Sequence, residues 1–115
     1  MKTRNESLYL YDILESCDTI ASYIVDVSEI ESQNNKMMQD ALVRNIEVIG
    51  EASKNLSKEL RNNNPEVSWS QIMRMRDKIV HHYFRINLDF IWRTAKEDIP
   101  VLRSQILKIY SDLSE

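Results

Sequence analysis

One cysteine, one glycine and two prolines among 115 residues already exclude several kinds of protein. Cys17 alone closes no intramolecular disulfide and offers too few thiols for a cysteine-built metal site, so a reducing cytoplasm is the expected setting. With Gly50 as the only glycine, a glycine-rich phosphate loop cannot be assembled, and the Walker and Rossmann nucleotide enzymes fall away. No apolar run approaches the roughly 18 to 20 residues that a membrane-spanning helix needs, nor a signal-peptide core. A soluble, intracellular chain with no membrane partner is the expectation. Strand-period alternation, internal repeats and low-complexity tracts are also missing. The length suits one domain over residues 1–115, with room for a real core.

The charge that is present is unevenly distributed. The net value is −3, but residues 1–60 hold eleven acids against six bases, whereas residues 71–96 hold six bases against Asp77 and Asp89. Bulk attraction to nucleic acid is not expected at a pI near 5.4. Any phosphate contact has to be local, and a merely solvated basic helix face is the plain alternative.

Apolar spacing predicts an all-α chain. Leu10, Ile13, Leu14, Cys17, Ile20, Ala21, Ile24 and Val25 recur at intervals of three and four, predicting a first helix from a Ser7 cap to about Ile30. The polar stretch from Glu31 to Lys36 reads as a hairpin turn. Met38, Leu42, Ile46, Ile49, Leu56 and Leu60 then mark a second helix reaching about Arg61, and the pair suggests a bundle. Gly50 falls inside that helix, where glycine costs about 1 kcal/mol relative to alanine, so a close approach of another backbone is expected there. Ser68 and Gln71 have the form of a capping box for a third helix that starts near Trp69 and runs to about His82 or Tyr83. Asn87 is placed to cap a fourth helix. Asp98 and Pro100 predict a break or kink and a restart after it. The third helix is apolar around much of its circumference yet carries Arg74, Arg76, Asp77, Lys78 and His81, a conflict of the kind expected at a functional site.

Within that helix, Arg76, Asp77, Lys78, His81, His82 and Tyr83 place a permanent cation, a carboxylate, two imidazoles and a phenol in eight residues. An arginine supplies planar donors for phosphate oxygens and a histidine near neutral pKa moves protons, which together suit phosphodiester chemistry without metal or cofactor. Asp77 and His81, four apart, can share a hydrogen bond that orients the imidazole. Arg76 and His81, five apart, are separated by about 140° around an ideal helix. They converge only through long side chains, a distorted helix end or a symmetry mate. Each group also has a structural reading: Arg76 paired with Asp77, Glu47 or Glu51, His81 and His82 as helix-end or solvent-facing imidazoles, and Tyr83 as a packing aromatic.

These residues resemble the HEPN-type toxins called HepT, which pair with minimal nucleotidyltransferase antitoxins in toxin-antitoxin modules of type II or VII. The family signature is Arg, four to six residues, His, then a Tyr two positions on; Arg76, His81 and Tyr83 match it. The segments Arg44-Asn-Ile-Glu-Val-Ile-Gly-Glu-Ala52, Trp69-x-x-Ile72-x-x-Met75-Arg76, and Tyr83 to Leu88 followed by Ile91-Trp92 extend the resemblance over most of the chain. Asp77 stands where the family often has Asn, and an acid there favours the protonated form of a neighbouring His81.

The resemblance implies an all-α, antiparallel HEPN bundle of four to five helices that dimerises, joining two motif copies in one cleft. It implies a metal-independent endoribonuclease acting on tRNA or mRNA, with Arg76 and His81 catalytic. From the charge pattern itself, Arg74, Lys78 and Arg85 are the candidates for extending the RNA path, with solvent-facing solubility charges as the equal alternative, and Asp77 is a supporting candidate beside them. The resemblance further implies neutralisation by AMP transfer from the nucleotidyltransferase antitoxin to Tyr83. A non-catalytic HEPN module that binds a nucleotide or a nucleotidyltransferase, and a plain helical dimerisation protein, remain the alternatives.

Overall fold

The computed structural model describes residues 2–81 and 87–114, and these are helical almost throughout. Helix α1, Lys2–Ile24, ends where Asp26 enters the left-handed region at φ 58°, which a short polar side chain tolerates better than most. The first helix therefore stops short of Ile30, and Ser7 lies inside it rather than capping it. A second reason is local: Ser28 accepts a hydrogen bond from the Glu31 N–H while Glu31 accepts from the Ser28 N–H, a capping box that opens the short α2, Glu29–Gln33. The predicted turn from residue 31 is thus partly helical and shrinks to Asn34 and Asn35, with Asn35 capping α3, Lys36–Asn55.

The second long helix also ends early. Leu56 is extended, and the Ser57 side chain accepts from the Leu60 N–H to open α4, Lys58–Asn63. Ser57 in turn donates its backbone N–H (2.6 Å) and hydroxyl (3.0 Å) to the Glu6 carboxylate, which ties this break to the start of α1. Hydrophobic spacing across residues 55–61 continues a helical pattern, but a serine that can cap competes with the ladder.

Helix α5, Trp69–His81, starts where the spacing predicts, and Trp69 Nε1 donates to the Asn64 carbonyl at 3.0 Å. Asn87 caps α6, Leu88–Arg93, by accepting from the Phe90 N–H. The expected break at Asp98 takes a different form. A π-turn, Thr94–Asp98, carries α6 directly into α7, Ile99–Ser114, and the Ile99 N–H donates to the Thr94 carbonyl five residues back. Proline lacks an N–H and its ring crowds the carbonyl four residues before it. Widening the turn just ahead of Pro100 removes that conflict without leaving the helical region, so Asp98 is not a restart cap.

Helices α1, α3, α5 and the continuous α6–α7 pack as an all-α bundle, the architecture expected. One contiguous buried cluster runs through it, with Leu10, Ile13 and Ile20 from α1, Leu42, Ile46 and Ile49 from α3, Ile79 from α5, and Ile91 and Ile106 from α6 and α7. Each such side chain contributes about 1.5–3 kcal/mol of burial free energy. Arg103 on α7 pairs with Asp18 on α1 at the bundle's edge. No described helix is long and apolar enough to cross a membrane.

Cys17 is packed within this core. Burial, with a smaller contribution from Asp18 and a partial offset from Arg103, pushes its thiol up to about 12. The nucleophilic thiolate is therefore scarce at pH 8, and iodoacetamide is expected to leave the folded protein unmodified while alkylating one thiol per chain in guanidinium. Rapid alkylation of the native protein, followed by intact mass, would contradict this placement.

Candidate functional site

The candidate site is assembled where α5 crosses α3, and the crossing is set by Gly50. A Cβ added at Gly50 would lie 2.2 Å from Arg76 Cβ and 2.7 Å from its Cγ, far inside van der Waals contact. A close approach is made at this glycine, but by the side chain of the motif arginine rather than by the expected backbone, whose Arg76 Cα stands 3.5 Å from that Cβ position. With its base seated over Gly50, the Arg76 side chain runs along α3. Its Nη2 lies 3.1 Å from Glu51 Oε2, and Nη1 donates to Asp77 Oδ1 at 3.0 Å. Both carboxylates are about half exposed, so each pair contributes at most about 1 kcal/mol to stability. Their larger effect is on geometry, because two anchors fix the plane of the guanidinium. An arginine has five N–H donors, and among the described residues two are engaged, which leaves three for a ligand.

Arg76 also lines a groove of about 350 Å³ between α1 and α3, together with Tyr9, Asp12, Arg44, Glu47 and Glu51. Arg44, Glu47, Glu51 and Asn55 follow at helical spacing on the side of α3 away from Leu42, Ile46 and Ile49. That polar stripe is legible in the sequence, but Tyr9 draws no attention, and Arg44 none beyond its place in the family segment, until α1 is laid against α3. Acids outnumber bases in this groove, so within one chain it is not a general phosphate trap.

His81 is the last residue of α5 and is exposed. Asp77 accepts its described hydrogen bond from Arg76, not from His81, so the expected orienting contact is replaced by an ion pair. Nor does the single chain bring Arg76 and His81 together. Arg76 faces α3, whereas His81 shares the outer face of α5 with Arg74 and Lys78. Tyr83, His82 and Arg85 lie outside the described residues. Among the described residues, no three His, Cys, Asp or Glu side chains group to hold a metal ion.

Comparison with known proteins gives a consistent result. A family model described as ribonuclease HepT-like matches residues 13–109. A Methanocaldococcus jannaschii protein provisionally named RNase MJ0125 is 38% identical over 115 residues, covering 100% of this chain and 99% of its own. A Thermococcus cleftensis protein named "Probable ribonuclease HepT" is 37% identical over 106 residues, covering 92% of this chain and 96% of its own. A third relative, from M. jannaschii and named as a gamma-glutamylcyclotransferase and provisionally an RNase, is 39% identical over 112 residues; 97% of this chain spans 50% of its length. No solved structure matches the chain.

Proposed function

Because the chain belongs to the HepT-like ribonuclease family, we propose that it is the toxin of a toxin-antitoxin module, a metal-independent endoribonuclease acting on tRNA or mRNA in the cytoplasm. The observation that supports this most strongly is the seating of Arg76 over Gly50, held by Glu51 and Asp77 with three N–H donors left without a partner among the described residues. Arg76 binds the scissile phosphate and offsets the charge that builds on it. His81 takes the proton of the RNA 2′-hydroxyl as that oxygen attacks phosphorus, or returns a proton to the departing 5′-oxygen. The P–O5′ bond breaks, leaving a 2′,3′-cyclic phosphate and a 5′-hydroxyl. Since Arg76 and His81 point apart on α5, two chains in a dimer complete the site, each bringing its motif to a shared cleft.

Tyr83 is the acceptor for AMP delivered by a minimal nucleotidyltransferase antitoxin. Two residues past His81, the added phosphodiester brings a negative charge that competes with RNA for Arg76. The test is cleavage of tRNA and total RNA in EDTA beside the intact mass of the same preparation. Unmodified protein is expected to cut RNA to cyclic-phosphate ends. Co-expression with the nucleotidyltransferase is expected to silence it with a mass gain in AMP units, absent in Tyr83→Phe. The fixed Arg76 cation also supports a second reading, a non-catalytic HEPN module that binds nucleotide or the nucleotidyltransferase through it. Intact RNA at unmodified mass would select that reading.

A further inference from the structure

Beyond the Arg76 groove, a cavity of about 540 Å³ lies on the opposite side of α5, against the helix that runs from α6 through the π-turn into α7. Its floor is apolar, formed by Met75, Phe90 and Leu102, and Arg74 and Lys78 stand along its α5 wall. Among the described residues, neither cation has a carboxylate within ion-pair distance, whereas Arg76 and Arg103 do. Lys78 instead places its Nζ 5.0 Å from the Phe90 ring centroid, inside the cavity's own wall. Arg74, Lys78 and His81 fall at i, i+4 and i+7, one line about 10 Å long on the outer face of α5 in which two cations lead to the proposed proton carrier. On the far wall the π-turn contributes Thr94 and Asp98, and π-turns inside α-helices are often found at functional sites.

Cations without a described carboxylate partner, set above an apolar floor, suit a ligand that is anionic along one edge and flat and apolar on its face. A volume of this order is that of small-ligand sites, about 300–1,000 Å³. We infer that this cavity is a substrate subsite for one nucleotide flanking the scissile phosphate, with its base on Met75, Phe90 and Leu102 and its phosphate on Arg74 and Lys78. Asp98 accepts from an exocyclic amino N–H of the base, which favours adenine, guanine or cytosine over uracil, which has no amino group. The inference rests on the ribonuclease reading above and adds where the strand runs.

The test uses the full chain and a fluorescent hexanucleotide of 2′-O-methyl RNA, which binds but lacks the attacking hydroxyl. Val101 lines the cavity and is 59% exposed, so Val101→Trp fills it without entering the core. Binding of the hexanucleotide by anisotropy is expected to weaken at least tenfold in Val101→Trp, at an unchanged melting temperature. In the Arg74→Ala, Lys78→Ala double variant, the slope of log Kd against log salt is expected to fall by about 0.7, the value for the one phosphate charge that is no longer neutralised. Wild-type cleavage of tRNA with both variants binding like wild type would overturn the subsite and leave the ribonuclease standing. A wild type that neither cuts tRNA nor binds the probe would overturn both. Sedimentation is run in parallel: a changed oligomeric state in Val101→Trp with unchanged probe affinity would make the cavity a protein interface and overturn the subsite.

Discussion

His81→Ala is expected to lower the rate of RNA cleavage by about 10²- to 10⁴-fold, the range that a positioned acid-base group supplies. Because His81 is exposed at the end of α5, the substitution should move the melting temperature by no more than about 2 °C. Arg76→Ala is expected to reduce cleavage as much or more. It also removes packing over Gly50 and leaves Glu51 and Asp77 without their shared cation, but both carboxylates are half exposed and stay hydrated, so the stability loss should be near 1 kcal/mol. Arg76→Lys keeps the charge and loses the planar fork, and is expected to restore little. Full cleavage by His81→Ala would remove it from the mechanism. A collapse in stability of Arg76→Ala with cleavage retained per folded molecule would return Arg76 to a structural role.

Gly50→Ala is expected to destabilise the protein and to reduce cleavage together, which is a test of sign as much as size. At an ordinary site within a helix, alanine for glycine is favourable by about 1 kcal/mol. Here the added Cβ would sit 2.2 Å from Arg76 Cβ, so α5 must move away from α3 by more than 1 Å. Overpacking of this kind costs typically about 1–3 kcal/mol, which exceeds the gain in propensity. The same movement lengthens the 3.1 Å ion pair between Arg76 and Glu51, so the guanidinium loses one of its two anchors. Gly50→Val, bulkier and branched, should be worse on both measures. Urea unfolding beside initial cleavage rates gives the order Gly, Ala, Val; an alanine variant more stable than wild type would show that α3 and α5 do not depend on this close approach.

Much of this was legible without coordinates. Three-and-four spacing located α1, α3, α5 and α6 because burial of one helical face is a local property of sequence. Asn87 as a cap and Gly50 as a place of close approach were visible for the same reason, each being a residue whose backbone or side-chain chemistry is specific to its position. Helix ends were less legible. Asp26, the Ser28 and Glu31 box, and Ser57 held by Glu6 each interrupt an apolar rhythm that runs on past them. Only the competition between a cap and the helical ladder decides which prevails, and for Ser57 that competition is settled by a residue 51 positions away. The break expected at Asp98 became a π-turn because widening a helix resolves the proline conflict while keeping Ile99, Leu102 and Ile106 on the core.

For the candidate site, the motif residues Arg76 and His81 were readable as chemistry, and so were the family and its all-α bundle. The sequence determined which groups are available, since side-chain identity and helical spacing are written in it directly. The tertiary structure decided which of them meet. Arg76 has several carboxylates within reach in sequence or in its groove, and only the crossing of α5 over Gly50 selects Glu51 and Asp77. The line of Arg74, Lys78 and His81 faces outward because α5 spends its other face on α3, and the cavity beneath it exists because the helix from residue 88 to 114 returns alongside. Helix against helix is a relation between distant segments, fixed by packing of whole faces, and no local pattern encodes it.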